Sequence, residues 1–126
     1  MDPLNSAFSS VDGVLFNHNQ TTLVEYPGGK FGGYTIPNSV TKIEAGAFAG
    51  CFSLANITLG TGVTSIGDSA FLGCFGLTGI TIPDSLTSIG ESAFQGCNGL
   101  TSVYFQGNAP SVGGTYLFAG DKATIY

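Results

Sequence analysis

The amino-acid sequence predicts an α/β solenoid, a stack of similar coils of about 23 residues each. Three consecutive segments, residues 35–57, 58–80 and 81–103, superimpose without gaps at a shift of 23, and seven apolar columns recur in all of them. The composition, with 20 glycines and only 9% charged residues, favours regular turns and β-structure over long helices. One segment cannot bury its apolar side alone, whereas stacked copies pack equivalent residues on each other.

The apolar columns define the predicted core. Their members are Ile36, Leu59 and Ile82; Val40, Val63 and Leu86; Ile43, Ile66 and Ile89; Phe48, Phe71 and Phe94; Cys51, Cys74 and Cys97; Leu54, Leu77 and Leu100; and Ile57, Ile80 and Val103. A phenylalanine column could also serve as a ligand-stacking platform. Because its period equals the repeat and alanine precedes each ring, we interpret it as core packing.

Each coil is expected to begin with a strand. The pattern Leu-x-x-Ile-x-Ile at residues 54–59, with equivalents at 77–82 and 100–105, has the spacing of a strand. These strands should pair in parallel, about 4.8 Å apart. Pro37 and Pro83 should end two of them, because proline cannot donate to a ladder.

The rest of the coil is expected to return along the opposite side. The sequence Val-Thr-Ser-Ile predicts a short second strand, and the stretch Gly-Asp-Ser-Ala-Phe-x-Gly-Cys predicts a short helical turn. Asp68 and Glu91 lie near the start of this turn, where acids are favoured. The glycines that would close it are Gly50, Gly73 and Gly96.

The N-terminal end departs from the regular coil. Within a single domain of residues 1–126, we assign 1–30 to a modified coil, 31–103 to regular repeats and 104–126 to a degenerate coil. Two apolar runs, 12–16 and 23–27, predict a β-hairpin that replaces half of one coil. Phe31, Tyr34 and Ile36 fit the strand pattern and are expected to point inward.

The C-terminal end departs from it as well. Val112 aligns with an isoleucine column, but Phe118 is one place late and Asp121 falls near the cysteine position. Residues 123–126 predict the start of another strand. We therefore expect the chain to be a piece of a longer solenoid.

The repeat resembles a known family. Residues 81–97, TIPDSLTSIGESAFQGC, are similar to the BspA-like leucine-rich repeats of bacterial surface proteins, which carry Ile-Pro, Val-x-x-Ile, Ala-Phe and Cys at fixed spacing. The resemblance covers residues 31–126, with Gly60 in place of proline in the second copy. It implies a right-handed superhelix with parallel strands on its concave face and short convex strands. It also implies extracellular or cell-surface display and a role in adhesion or protein binding, and it offers no catalytic residues.

The net charge of the chain argues against nucleic acids and anionic membranes as partners. The formal net charge is −5, with Lys30, Lys42 and Lys122 as the three basic residues. A nucleic-acid binder needs a basic stripe to neutralise phosphates, and an anionic membrane surface is disfavoured for the same reason. No run is long and apolar enough for membrane insertion. Residues 1–4 lack the basic and apolar regions of a signal peptide.

The cysteine column invites a metal or redox interpretation. A tetrahedral metal site needs converging ligands, but the cysteines recur at the 23-residue repeat and the one histidine, His18, lies far upstream. A disulfide wants Cβ atoms about 3.8 Å apart, closer than ladder neighbours. We interpret the column as buried thiols that fill the core, and we predict no metal and no cofactor.

The acidic residues do not predict catalysis. Asp68 and Glu91 are equivalent positions on successive coils, Asp84 lies on a turn, and Glu44 is one place off the column. Nothing pairs an acid with His18, a serine or a cysteine in a triad. The glycine pairs at 28–29, 32–33 and 113–114 form no phosphate-binding motif. We therefore predict no catalytic residues, with an enzyme fragment as the remote alternative.

The strand face remains as the candidate binding surface. Residues expected to point outward include Ala55, Thr78 and Gly79, and those we assign to partner binding are Asn56, Thr58, Thr81, Thr101, Ser102 and Tyr104. Solenoids often bind partners on such a surface. The first functional hypothesis is a non-enzymatic module that binds a protein or a glycan, and the second is a spacer that presents another domain. Open strand edges also predict end-to-end self-association.

Overall fold

The computed structural model describes residues 8–106 and, in two short strands, residues 111–112 and 124–125. Its strands are β1 (Phe8–Val11), β2 (Val14–Asn17), β3 (Thr22–Glu25), β4 (Gly32–Thr35), β5 (Lys42–Ile43), β6 (Leu54–Thr58), β7 (Ser65–Ile66), β8 (Gly79–Ile82), β9 (Ser88–Ile89), β10 (Ser102–Phe105), β11 (Ser111–Val112) and β12 (Thr124–Ile125).

These strands form two sheets that enclose the core. One sheet has the order β1-β2-β3-β5-β7-β9-β11, and the other has the order β12-β10-β8-β6-β4. All pairs from β3 onward are parallel, and Ile57 lies opposite Ile80, one repeat of 23 residues away. The predicted solenoid with two parallel strands per coil is therefore confirmed.

The core is built from the predicted columns, and every column residue is buried. The phenylalanines form a continuous stack, with ring centroids 4.8 Å apart between Phe48 and Phe71 and 5.1 Å apart between Phe71 and Phe94. Tyr26 continues the stack at the N-terminal end, 4.9 Å from Phe48. The interpretation of this column as core packing is confirmed, and the first coil contributes a tyrosine to it.

The predicted helical turns are wrong. Residues 45–50 and their equivalents form turns, and the described part of the chain contains no helix, hence none that could cross a membrane. The N–H of Ala47 donates to Glu44 O three residues back, while the N–H of Phe48 donates to Ala70 O in the next coil. Half of the backbone N–H groups in this turn therefore bond to the neighbouring coil. In a helix they would all bond within the same segment.

Backbone conformation explains the same correction. The residue at the start of each turn has a positive φ: 70° at Gly46, 56° at Ser69 and 59° at Ser92. A left-handed residue cannot continue a right-handed helix. The closing glycines Gly50 and Gly73 also have positive φ, 73° and 70°, in agreement with the closing role assigned to them.

Phe31 is exposed, contrary to the prediction that it points inward. Its side chain is 82% exposed, whereas Ile36 is buried and Tyr34 half-buried, as expected. The cause is a shift of register in β4. Gly32 lies opposite Leu54 and Gly33 opposite Asn56, so one residue of β6 is skipped and Phe31 falls before the paired strand.

Both ends contain the strands that the sequence predicts. Strand β2 pairs antiparallel with β3 as the expected hairpin, and β1, which the sequence analysis did not predict, adds a further antiparallel strand beside β2. At the other end, Val112 lies opposite Ile89, and β12 pairs in parallel with β10. Phe118, Asp121 and the glycine pair at 113–114 lie outside the described residues.

The phenylalanine stack gives the first testable prediction. Phe71 is fully buried between two rings, so Phe71→Ala should lower the free energy of unfolding by about 3–5 kcal/mol. Urea titration followed by circular dichroism measures this change. Phe75→Ala is the matched control, because that ring is 49% exposed and its removal should cost much less. A urea unfolding curve for Phe71→Ala that matches that of the wild type would contradict the packing role.

Candidate functional site

The residues assigned to partner binding all lie on one surface, the outward side of the five-stranded sheet, which we call the strand face. Its outward columns are Thr35, Thr58, Thr81 and Tyr104; Gly33, Asn56, Gly79 and Ser102; and Ala55, Thr78 and Thr101. Inward positions of the same strands, such as Leu54 and Ile57, are buried. The alternation of exposed and buried residues along the strands creates this surface.

The structure brings three of the assigned residues into one row. Thr58 lies opposite Thr81 in the β6–β8 pair, and Thr81 lies opposite Tyr104 in the β8–β10 pair. Tyr104 is 47% exposed and is the largest side chain of the row. Neighbouring strands lie about 4.8 Å apart, so the row presents side chains within reach of one ligand.

Asn56 and Ser102 lie in a separate column and lean over glycines of the preceding coil. A Cβ atom at Gly33 would collide with the amide of Asn56, and one at Gly79 would lie 3.1 Å from the Ser102 hydroxyl. The absence of side chains at these glycines therefore lets polar groups lie flat on the strand face.

Threonine hydroxyls on the solenoid fall into two groups. The hydroxyl of Thr101 donates to Thr78 O at 3.1 Å, and the hydroxyl of Thr78 donates to Ala55 O at 3.4 Å. Thr64 and Thr87 donate in the same way on the opposite sheet. Thr101 thus ties neighbouring coils together, and its hydroxyl proton is already used.

The hydroxyls of Thr58 and Thr81 belong to the second group, since neither bonds to any residue in the described part of the chain. Both face a hollow of about 260 Å³ on the strand face. The residues lining it are Ile57, Thr58, Leu59, Thr81, Pro83 and Gln106. None of these side chains is charged, so the hollow can recognise neutral polar groups through hydrogen bonds.

Sequence reasoning gave four residues of this hollow no binding role, since Ile57 and Leu59 were assigned to the core. Gln106 follows the last aligned repeat, so no column drew attention to it, although its N–H donates to Ile82 O at 2.9 Å and fixes it beside β8. Pro83 was interpreted only as the residue that ends a strand. A hollow formed by three successive coils is visible only when the coils are stacked.

The cysteine column is buried, as predicted, and its thiols are free. Each thiol also makes a directed contact, because Sγ of Cys74 and of Cys97 lies 3.0 Å from the carbonyl oxygen of the phenylalanine one coil earlier. Burial raises the pKa of the Cys51 thiol to about 11, with a further contribution from the charge of Glu25. The contact with Cys97, together with burial, raises the pKa of Cys74. Cys51 and Cys74 therefore carry little nucleophilic thiolate at neutral pH.

Two acidic side chains make contacts on the solenoid surface. The Asp68 carboxylate accepts a hydrogen bond from the N–H of Glu91 at 2.8 Å, which links two successive turns. Glu44 forms an exposed ion pair with Lys42 at 3.4 Å. Across the described residues, no three His, Cys, Asp or Glu side chains converge in a way that could hold a metal ion.

An exposed aromatic pair lies away from the strand face. Phe52 is 58% exposed and Phe75 is 49% exposed, and their rings stack at 4.9 Å with planes 4° apart. The equivalent residue of the next coil is Asn98, so the pair forms no column over the three copies. This interruption is why the sequence analysis did not single it out.

Comparisons with known proteins identify the repeat. The family described as the BspA type leucine rich repeat region matches residues 26–124 in six copies. No curated protein matches the chain.

Solved structures of bacterial proteins share the fold. A leucine-rich repeat protein from Eubacterium ventriosum is 35% identical with a TM-score of 0.86, over 94% of this chain and 32% of that one. The pneumococcal vaccine antigen PcpA is 23% identical with a TM-score of 0.68, over 98% and 38%. A leucine rich cell surface protein from Faecalibacterium prausnitzii is 23% identical with a TM-score of 0.55, over 88% and 41%. The chain thus spans well under half of each of these structures.

The cysteine column gives a second testable prediction. At pH 8, an aromatic disulfide reagent should leave the three thiols of the native protein unmodified, because all three are buried. At Cys51 the raised pKa also keeps the thiolate fraction small. The same protein in concentrated guanidinium should react at all three within minutes, which controls for prior oxidation. Reaction of native Cys51 should accelerate only as the pH approaches about 11. Fast labelling of all three native thiols at pH 8 would refute the buried column.

Proposed function

We propose that this chain, which belongs to the BspA-type leucine-rich-repeat family, is part of a surface-displayed module that binds a protein or a glycan without catalysis. The observation that carries the proposal is the strand face, where Thr58 and Thr81 border a hollow and Tyr104 stands beside them. Several threonine hydroxyls elsewhere on the solenoid, such as those of Thr64 and Thr101, are used to join coils. Here they are available to a ligand.

Two further observations support recognition over catalysis. The thiols and the carboxylate of Asp68 are engaged in structural contacts, Asp68 with the N–H of Glu91 and Cys74 with the carbonyl oxygen of Phe48. The strand face carries hydroxyl, amide and aromatic groups, which are typical of adaptable binding surfaces. Surface display is supported by the shared fold of the leucine rich cell surface protein from Faecalibacterium prausnitzii.

Substitution on the strand face tests the proposal. Thr58→Glu and Tyr104→Glu should each abolish binding to any ligand that the wild-type chain captures from a glycan array or a panel of purified extracellular proteins. Each places a desolvated charge in the proposed interface, which costs several kcal/mol when unpaired. Surface plasmon resonance on the identified ligand measures the loss.

The control is Ser88→Glu, which puts the same charge on an exposed residue of the opposite sheet and should leave binding unchanged. If the strand-face variants bind as well as the wild type, the strand face is not the binding surface. A chain whose strand-face variants are silent in every binding assay, while removal of whole coils alters the reach of an attached domain, would instead be a spacer.

The open edge of β4 carries the proposal of end-to-end self-association. Strand β4 ends the five-stranded sheet, and the N–H groups of Gly32 and Ile36 point to the neighbouring coil. By alternation, the N–H of Thr35 points to the free edge. Light scattering should show a mass that rises with concentration, and Thr35→Pro, which removes that donor, should reduce the rise. A strict monomer across the range would exclude this edge as an interface.

A further inference from the structure

We infer that the hollow lined by Thr58, Thr81 and Gln106 is a binding site for a single neutral pyranose ring, either free or at the end of a glycan. The inference rests on the proposed function, because it names the class of ligand that the strand face takes. It depends on three properties of the hollow: unused hydrogen-bonding groups, the absence of charge, and a limited volume.

Two of the hydrogen-bonding groups are threonine hydroxyls that take no part in joining coils. The hydroxyls of Thr64, Thr78 and Thr101 each donate to a carbonyl oxygen of the preceding coil, at 3.0, 3.4 and 3.1 Å. Those of Thr58 and Thr81 make no such bond to the described residues, although the two threonines lie side by side in the β6–β8 register. A ligand in the hollow can therefore accept from and donate to both without breaking a contact between coils.

The third polar group is the amide of Gln106, which supplies two donors and one acceptor oxygen. The backbone of Gln106 is held by its N–H bond to Ile82 O at 2.9 Å, so this side of the hollow is anchored to β8. Two hydroxyls and one amide thus surround the hollow from three successive coils. This arrangement suits a ligand with several hydroxyl groups on one rigid ring.

The absence of charge selects against ionic ligands. No side chain that lines the hollow is charged, so a carboxylate or an ammonium group would lose water without gaining a partner. A neutral sugar pays a smaller desolvation cost and forms hydrogen bonds through each hydroxyl.

The size of the hollow limits the ligand to one ring. Its volume of about 260 Å³ lies below the range of roughly 300–1,000 Å³ that is usual for drug-sized ligands. A longer glycan would therefore place one terminal ring in the hollow and extend across the strand face towards Tyr104, the neighbour of Thr81 in the β8–β10 register.

Nuclear magnetic resonance titration tests the inference. The ¹⁵N-labelled chain is titrated with glucose, galactose, mannose, fucose and N-acetylglucosamine, and with glucuronic acid as the charged comparison. At least one neutral sugar should shift the side-chain amide of Gln106 and the backbone amides of Thr58 and Thr81, with a dissociation constant of about 1 mM. Glucuronic acid should shift them much less. No shift with any neutral sugar would overturn the inference.

Matched variants make the site assignment specific. Thr81→Val removes the hydroxyl with little change of shape and should weaken binding about tenfold, the loss expected for one hydrogen bond. Thr81→Ser should retain most of the affinity. Thr35→Val is the control, because Thr35 occupies the same column one coil outside the hollow. Equal weakening by Thr35→Val and Thr81→Val, or no weakening by Thr81→Val, would exclude the hollow as the site.

Further measurements distinguish a failure of the sugar site from a failure of the broader proposal that the strand face binds a partner. Thr58→Val serves as the second hydroxyl variant if Thr81→Val does not give the dispersed spectrum of a folded chain. A chain that binds no neutral sugar, yet loses a protein partner in Thr58→Glu, would retain the strand face as a binding surface and exclude only the saccharide. A terminal sugar in a glycan should shift Tyr104 as well, whereas a free monosaccharide should not.

Discussion

The translation of one coil onto the next, by about one strand spacing, is the constraint on which the rest of the structure depends. The aromatic rings of the core stack at 4.8 and 5.1 Å, close to the spacing of paired strands. Residues with small side chains are required where the backbones meet. A Cβ atom at Gly76 would lie 2.6 Å from the carbonyl oxygen of Phe52 in the preceding coil. A residue with a larger side chain at such a position would force the two backbones apart, so the regular coils repeat small residues there.

The same constraint decides how backbone donors are used. In the turn at 45–50, donors alternate between a carbonyl three residues back and a carbonyl of the next coil. The coils are therefore joined by hydrogen bonds on both sheets and through the turns between them. The cysteine thiols add directed contacts of 3.0 Å within the core. A buried thiol fits this position because it is small and apolar, and can still donate weakly to a carbonyl.

The residue columns could be predicted from the sequence because three copies of the 23-residue repeat carry apolar residues at the same positions. The local backbone conformation was harder to predict from the sequence. The stretch Ser-Ala-Phe has no residue that forbids a helix, and the positive φ of Ser69 arises from pairing with the neighbouring coil. Phe31 fits the strand pattern by spacing, but Gly32 and Gly33 have no side chains to fix the register, and the strand slips by one residue. The hollow involves Gln106, which no column contains.

The lack of charge determines what kind of recognition the strand face can support. With 9% charged residues and an uncharged hollow, electrostatic steering contributes little, so association should be slow and selectivity should depend on hydrogen-bond geometry. A single sugar ring held by a few neutral hydrogen bonds is bound weakly. Weak sites become effective when several are linked, because the second contact forms at a high effective concentration. A solenoid provides that linkage directly, since each added coil repeats the same strand at a fixed distance. We therefore expect affinity in this architecture to come from the number of coils that engage an extended ligand, with the hollow at Thr58 and Thr81 selecting the ring that occupies it.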